Sequence, residues 1–250
     1  MRFHRNTAIR CFLLSLAGFV AASSAQADDA QTSDVVIRHY QQKYSAVAVR
    51  PSNMKTDSVD RHIVLVDTSA SQIGTARQSS LALVSKVLPE LAANSTVRMF
   101  AVDLQCEPLM QGFAPAGSKD AQAAVDALSL RTPLGTTDLA SALRVVVENA
   151  SGQPTSVLYI GDGMSSHRIS LEELATFADA FKSKHVAFHS VVLGPKTGKE
   201  IPNILANLTG GTLSDVKHGQ EAVTASPSVA AMHAAPAEVT QLKADGRSIA

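Results

Sequence analysis

Ile63-Val64-Leu65-Val66-Asp67-Thr68-Ser69-Ala70-Ser71 is an unbroken apolar run that ends on a carboxylate and a set of hydroxyls. A short, mostly β-branched run without polar alternation predicts a strand buried on both faces, as in a parallel sheet covered by helices. Downstream, Leu81, Val84, Leu88 and Leu91 recur at helical spacing, with Pro89 in the last turn. Val97–Val102 and Leu104–Met110 then read as two strands of a hairpin. Ser118 is placed to cap a helix that carries Ala121, Ala124, Val125 and Leu128.

The second half repeats the alternation more clearly. Leu139, Ala142, Leu143, Val146 and Val147 form one helical stripe with Asp138 at its N-cap. Val157–Ile160 is a second buried strand, and Ser170-x-x-Glu173 is a capping box ahead of Leu171, Leu174, Ala178 and Phe181. Val186–Leu193 is a strand, Ile201–Leu208 a helix stopped by Gly210-Gly211, and Thr212–Val216 a last strand. Strands alternating with helices predict an α/β fold: a doubly wound, Rossmann-like, mostly parallel sheet with helices on both faces and one antiparallel edge strand.

Composition removes several function classes. The 250 residues carry 22 Lys plus Arg against 22 Asp plus Glu, are 45% hydrophobic, and include two Cys and no Trp. A zero balance lacks the basic surplus of a nucleic-acid binder. Arg2, Arg5 and Arg10 precede an apolar run from Cys11 to Ala22 and then Ala25-Gln26-Ala27, the layout of a secretory signal peptide over residues 1–27. Its loss removes three Arg and no acid, leaving a mildly acidic, exported chain, periplasmic or secreted, without a membrane span. It also leaves Cys106 without a disulfide partner, and we read that residue as a small buried side chain on a strand. Residues 28–60 read as a lead-in segment of one helix or strand around Val35–Val47, 61–219 as the folded domain, and 220–250 as an Ala-rich tail or linker.

Three polar clusters follow the carboxyl ends of predicted strands or open a helix, where doubly wound sheets gather ligands. They are Asp67-Thr68-Ser69-Ala70-Ser71, Gly135-Thr136-Thr137-Asp138 and Gly161-Asp162-Gly163. Two carboxylates and several hydroxyls are hard oxygen donors of the kind Mg²⁺ takes. Taken singly, the first two clusters also suit plain helix starts.

In this order and spacing, the clusters resemble the metal-ion-dependent adhesion site of von Willebrand factor type A domains, over about Arg61 to Val216. The resemblance implies metal ligation, directly or through water, by Asp67, Ser69, Ser71, Thr137 and Asp162. Thr137 is chosen over Thr136 because it keeps the family's distance to Ala142-Leu143, while Thr68 and Ala70 stand where relatives usually carry Gly. It further implies Mg²⁺ (or Mn²⁺ or Ca²⁺), a protein ligand that offers an Asp or Glu, and a binding module with no catalytic residues.

Two alternatives stay open. Val66-Asp67-Thr68-Ser69 and Gly161-Asp162-Gly163 loosely resemble the motifs of haloacid-dehalogenase-like phosphatases, with Asp67 as nucleophile. There, however, Ser69 replaces the expected acid/base, and Ser165 and Ser166 replace later acids. The other alternative is a subunit of a larger multidomain assembly. Gly194 to Glu200 lacks phosphate-loop spacing, and His167, His185, His189, His218 and His233 lack metal-ligand spacing, so they read as solvated or strand-end residues.

Overall fold

The computed structural model describes residues 32–39, 42–49, 58–194, 196–216, 229–233, 243–244 and 247–248. The signal segment 1–27 lies outside the described residues, as does most of the Ala-rich tail. Within the lead-in segment, β1 (Thr32–His39) and β2 (Gln42–Val49) pair antiparallel from Thr32 opposite Val49 to His39 opposite Gln42. The expected single element is thus a hairpin. Its alternation of polar and apolar residues, read as one amphipathic stretch, belongs to two strands.

The larger unit is built on β3 (Arg61–Asp67), α1 (Thr75–Glu90), β4 (Thr96–Val102), β5 (Cys106–Pro108), β6 (Ala114–Pro115) and α2 (Lys119–Leu130). It continues through α3 (Leu139–Asn149), β7 (Thr155–Gly161), α4 (Leu171–Ser183), β8 (Val186–Leu193), α5 (Glu200–Thr209) and β9 (Leu213–Val216). After it come α6 (Val229–Met232) and a two-residue pairing of β10 (Lys243–Ala244) with β11 (Arg247–Ser248). The main sheet runs β5-β4-β3-β7-β8-β9, with β6 also on β4. Pairs β3–β4, β3–β7, β7–β8 and β8–β9 are parallel, while β5 and β6 lie antiparallel to β4.

The buried runs separate by parity, because successive strand side chains point to opposite faces. Val64 and Val66 of β3 pack with Leu83, Val84 and Val87 of α1 and Ala121, Ala124 and Leu128 of α2. Ile63 and Leu65 pack on the other face with Leu139, Leu143 and Val146 of α3, Phe181 of α4 and Leu205 of α5. Local signals agree with this layering. Ser118 and Asp138 cap α2 and α3 through the N–H groups of Ala121 and Ser141. Ser170 and Glu173 make a reciprocal capping box on α4.

Two further expectations are corrected. The strand read at 104–110 is reduced to Cys106–Pro108, and the edge resumes at Ala114–Pro115. Each short piece carries a Pro, which offers no N–H to a ladder and is tolerated at an edge, so the antiparallel edge is broken in two. The Ala-rich tail is also not wholly a linker. Met232 is fully buried against the α1 and α2 face. The Val59 N–H donates to the His233 carbonyl at 2.9 Å, and the His233 ring lies 2.8 Å from the Val59 carbonyl.

The chain leaves β3 for β4 on one side and later adds β7 on the other. Such a reversal opens a crevice beyond the carboxyl ends of the two central strands. Those ends are Asp67 and Gly161.

Candidate metal centre

Asp67 closes β3 with no surface exposure. Its Oδ1 accepts the Ser69 N–H at 2.9 Å, and the Thr137 hydroxyl sits 3.0 Å from both carboxylate oxygens. Ser69 is buried, and its hydroxyl lies 2.8 Å from that of the exposed Ser71. Asp162 follows β7, also buried, and its Oδ1 accepts the Met164 N–H at 2.8 Å. The two carboxylates sit close enough for their charges to interact. The structure therefore brings Asp67, Ser69, Ser71, Thr137 and Asp162 to one crevice, while Thr136 is exposed.

The helix-start alternative accounts for only part of this. Asp138 does cap α3. Neither Ser69 nor Ser71 caps α1, whose N-cap is Gly74 without a side-chain bond. Their hydroxyls bond each other at the crevice instead.

Burial chiefly, and the nearby Asp162, push the Asp67 carboxyl above its ordinary value, against the pull of the bonds from Ser69 and Thr137. Among the described residues, no Lys, Arg or His forms an ion pair with Asp67 or Asp162. Nor does any group of three or more His, Cys, Asp or Glu among them have the arrangement of a metal site. Metal binding here would have to draw on two acids completed by hydroxyls. That donor set fits a hard divalent cation, whose charge would offset the carboxylates.

Three supports escaped the sequence reading. Tyr159, fully buried, donates to Asp67 Oδ2 at 3.3 Å and accepts the Gly163 N–H at 3.1 Å, tying the two acidic loops together. Burial, then the charges of Asp67 and Asp162, push its phenol well above the ordinary value, so it stays a donor. A Cβ at Gly161 would collide with the Tyr159 hydroxyl and the Asp67 Cβ, and one at Gly163 (φ +74°) with the Gly198 carbonyl. The signal was present in Tyr159-Ile160-Gly161-Asp162-Gly163, two glycines bracketing an acid.

The second support is Asp103. Burial alone would raise its carboxyl, yet bonds from Arg131, the Gln105 N–H and the Thr68 hydroxyl hold it below the usual range. Thr68 thus spends its side chain on Asp103 at 3.1 Å, outside the site. Arg131 also reaches Glu107 at 2.6 Å. The third is the loop dismissed as a phosphate-loop mimic: the Gly198 N–H donates to the Asp162 carbonyl at 2.8 Å. Cys106 lies half-buried on β5, its thiol pushed up to about 12 by burial, Asp103 and Glu148.

A three-layer α/β unit with an acid-and-hydroxyl crevice at its switch point belongs to the class of doubly wound α/β domains. A sequence profile of the von Willebrand factor type A domain matches residues 61–215, and the chain belongs to that family. The fold is similar to a von Willebrand factor type A protein from Catenulispora acidiphila, at 12% identity and TM-score 0.59 over 73% of this chain and 43% of that one. It is also similar to proximal thread matrix protein 1 from the mussel byssus with a zinc-occupied MIDAS motif, at 17% identity and TM-score 0.53 over 68% and 46%. An aerotolerance-related membrane protein from Bacteroides fragilis, bearing mutations to serine, matches at 13% identity and TM-score 0.51 over 69% and 96%. The chain thus spans less than half of the first two proteins. No curated protein matches it in sequence. Domains of this family generally mediate protein interactions and often hold a divalent metal. No described helix is long and apolar enough to cross a membrane.

Proposed function

We propose that this chain is an exported protein-binding module, not an enzyme, that captures an Asp or Glu of its partner through a divalent cation. The cation is Mg²⁺, with Mn²⁺ and Ca²⁺ as the nearest alternatives, held by Asp67, Ser69, Ser71, Thr137 and Asp162 directly or through water. The carrying observation is the pair of buried carboxylates that, among the described residues, form no ion pair with a cationic side chain and are lined by hydroxyls in one crevice. When bound, the cation supplies a Lewis-acidic point for a partner carboxylate.

The chain's own residues set the geometry. Asp67 and Asp162 provide the negative charge. Thr137 and the Ser69 N–H fix the Asp67 carboxylate, and Tyr159 braces it from below. Neutral hydroxyls would fill only part of a cation's shell without cancelling its charge, which would leave both a position and the charge for a partner's acid. Asp67 engaged by three donors, with Ser69 in place of a second acid, supports binding over phosphoryl transfer. Export rests on the basic, apolar and Ala-x-Ala layout of residues 1–27.

The test is a thermal-shift titration with Mg²⁺, Mn²⁺ and Ca²⁺ on the wild type and Asp67→Ala. At about 100 times the dissociation constant, a ligand stabilises by roughly 2.7 kcal/mol, or some ~5–10 °C for a chain of this size. No shift in the wild type, or an equal one in the variant, refutes the assignment.

A further inference from the structure

Seven large hydrophobic side chains are exposed among the described residues, and four of them lie on the loops that carry or contact the acidic crevice. They are Ile73 at 65%, Leu104 at 62%, Leu134 at 66% and Met164 at 49% exposure. Each sits on a loop tied to the site. The Ile73 N–H donates to the Ala70 carbonyl at 3.3 Å, in the turn that carries Ser69 and Ser71. The Leu134 N–H donates to the Thr68 carbonyl at 3.0 Å. A Cβ at Gly135 would meet Leu104 at 3.2 Å, and the Gly135 carbonyl accepts the Ala70 N–H at 3.0 Å. Met164 donates its N–H to the Asp162 carboxylate itself.

Scattered exposed hydrophobics need no explanation, but a cluster around a polar centre marks an interaction surface. Here the polar centre is sunken. Asp67, Ser69, Thr137 and Asp162 are all buried, and only Ser71 is exposed. A carboxylate that reaches these groups must therefore enter the crevice, which brings the residues flanking it on the partner to the loops that expose Ile73, Leu104, Leu134 and Met164.

Resting on the metal-site reading above, we infer that the partner segment is an Asp or Glu flanked on both sides by large apolar residues, docked across Ile73, Leu104, Leu134 and Met164. The charge at the centre gives the acid its place, and the ring gives the neighbours theirs. A glutamate in a polar, solvated loop would meet the same ion but bury nothing on the ring.

The test titrates two synthetic peptides into the ¹⁵N-labelled full chain and follows amide shifts by NMR, a readout sensitive to weak binding. One peptide carries Leu-Phe-Glu-Leu-Phe between glycines, the other Ser-Ser-Glu-Ser-Ser. In MgCl₂ the apolar-flanked peptide is expected to bind at least about tenfold more tightly, a factor equivalent to roughly 1.4 kcal/mol. Replacing Glu by Gln, or adding EDTA, is expected to abolish that binding. In the double variant Leu134→Ser, Met164→Ser the preference falls toward unity while the Mg²⁺ thermal shift is kept, because neither side chain supplies a metal ligand. Equal affinity for both peptides, with the Mg²⁺ shift intact, overturns the apolar ring and leaves the metal site standing. Absence of the Mg²⁺ shift overturns the site and the ring with it.

Discussion

Acidification from pH 7 to pH 5 should remove about 4 kcal/mol of folding stability through two histidines, His62 and His189. His62 sits in β3 with no exposure, and neither ring nitrogen has a hydrogen-bond partner among the described residues. Burial first, then the neighbouring His233 and His189, lower it from 6.5 to about 3. His189, in β8, is lowered to about 4 by burial, with Thr212 3.0 Å from its Nδ1.

Both rings stay neutral in the folded chain down to pH 5, whereas in the unfolded chain they protonate below about 6.5. The unfolded state then binds more protons. The stability is fully present above about 6.5 and is lost as pH falls toward the folded values of about 3 and 4. At pH 5 the unfolded-state gain is about 2 kcal/mol for each ring, large beside a typical total of roughly 5–15 kcal/mol. Asp67 acts in the opposite sense, since its raised carboxyl is relieved by protonation. Urea denaturation at pH 5, 6 and 7 measures the sum. His62→Leu, which keeps the volume and removes a buried group without a partner, should abolish about half of the loss. An unchanged slope in that variant, or a wild type equally stable at both ends, would refute the reasoning.

Other outcomes follow from the site and its supports. Asp67→Asn should stabilise the metal-free chain, because it removes a desolvated charge that Asp162 opposes, and should abolish the Mg²⁺ shift; calorimetry in EDTA and in MgCl₂ reads both. Tyr159→Phe leaves the buried Gly163 N–H without its acceptor, and should lower stability by about 1–3 kcal/mol in a denaturant titration. Met232→Ala should cost about 2–5 kcal/mol, because its side chain is buried in the core, and a wild-type-like denaturation midpoint would refute this. Cys106 should stay unmodified by iodoacetamide at pH 7, since its thiol is held near about 12 and the thiolate is the reactive form.

The layered sheet was legible because its signals are local. An apolar run such as Ile63–Val66 needs cover on both faces whatever lies beyond it, and Ser170 with Glu173 specifies a helix start within four residues. The carboxylates were legible because each directly follows such a strand. Contacts between distant segments were not. Tyr159 meets Asp67 only because β7 lies beside β3, and nothing in its own neighbourhood announces that partner. The same holds for Thr68 and Asp103, joined across β3 and β4, and for His233, which meets Val59 from the far end of the chain. The edge at 104–110 misled for another reason: its composition suits a strand, but Pro108 interrupts the ladder.

The crevice also shows why the local hydrogen bonds matter more than the acids alone. Two carboxylates close together in a buried setting repel, and their loops would separate unless something held them. The Ser69 N–H and Thr137 hydroxyl hold Asp67, while the Met164 and Gly198 N–H groups hold Asp162 from its carboxylate and carbonyl ends. Tyr159 joins the two sides, and Gly161 leaves the space that lets it do so. The repulsion is thus confined to a geometry that the fold imposes before any cation arrives. A cation held there would have its residues already positioned, and its charge would offset a penalty already built into the folded chain. On this reasoning the metal affinity proposed for Asp67 and Asp162 draws on Tyr159 and Gly161 as well, although neither would touch the ion.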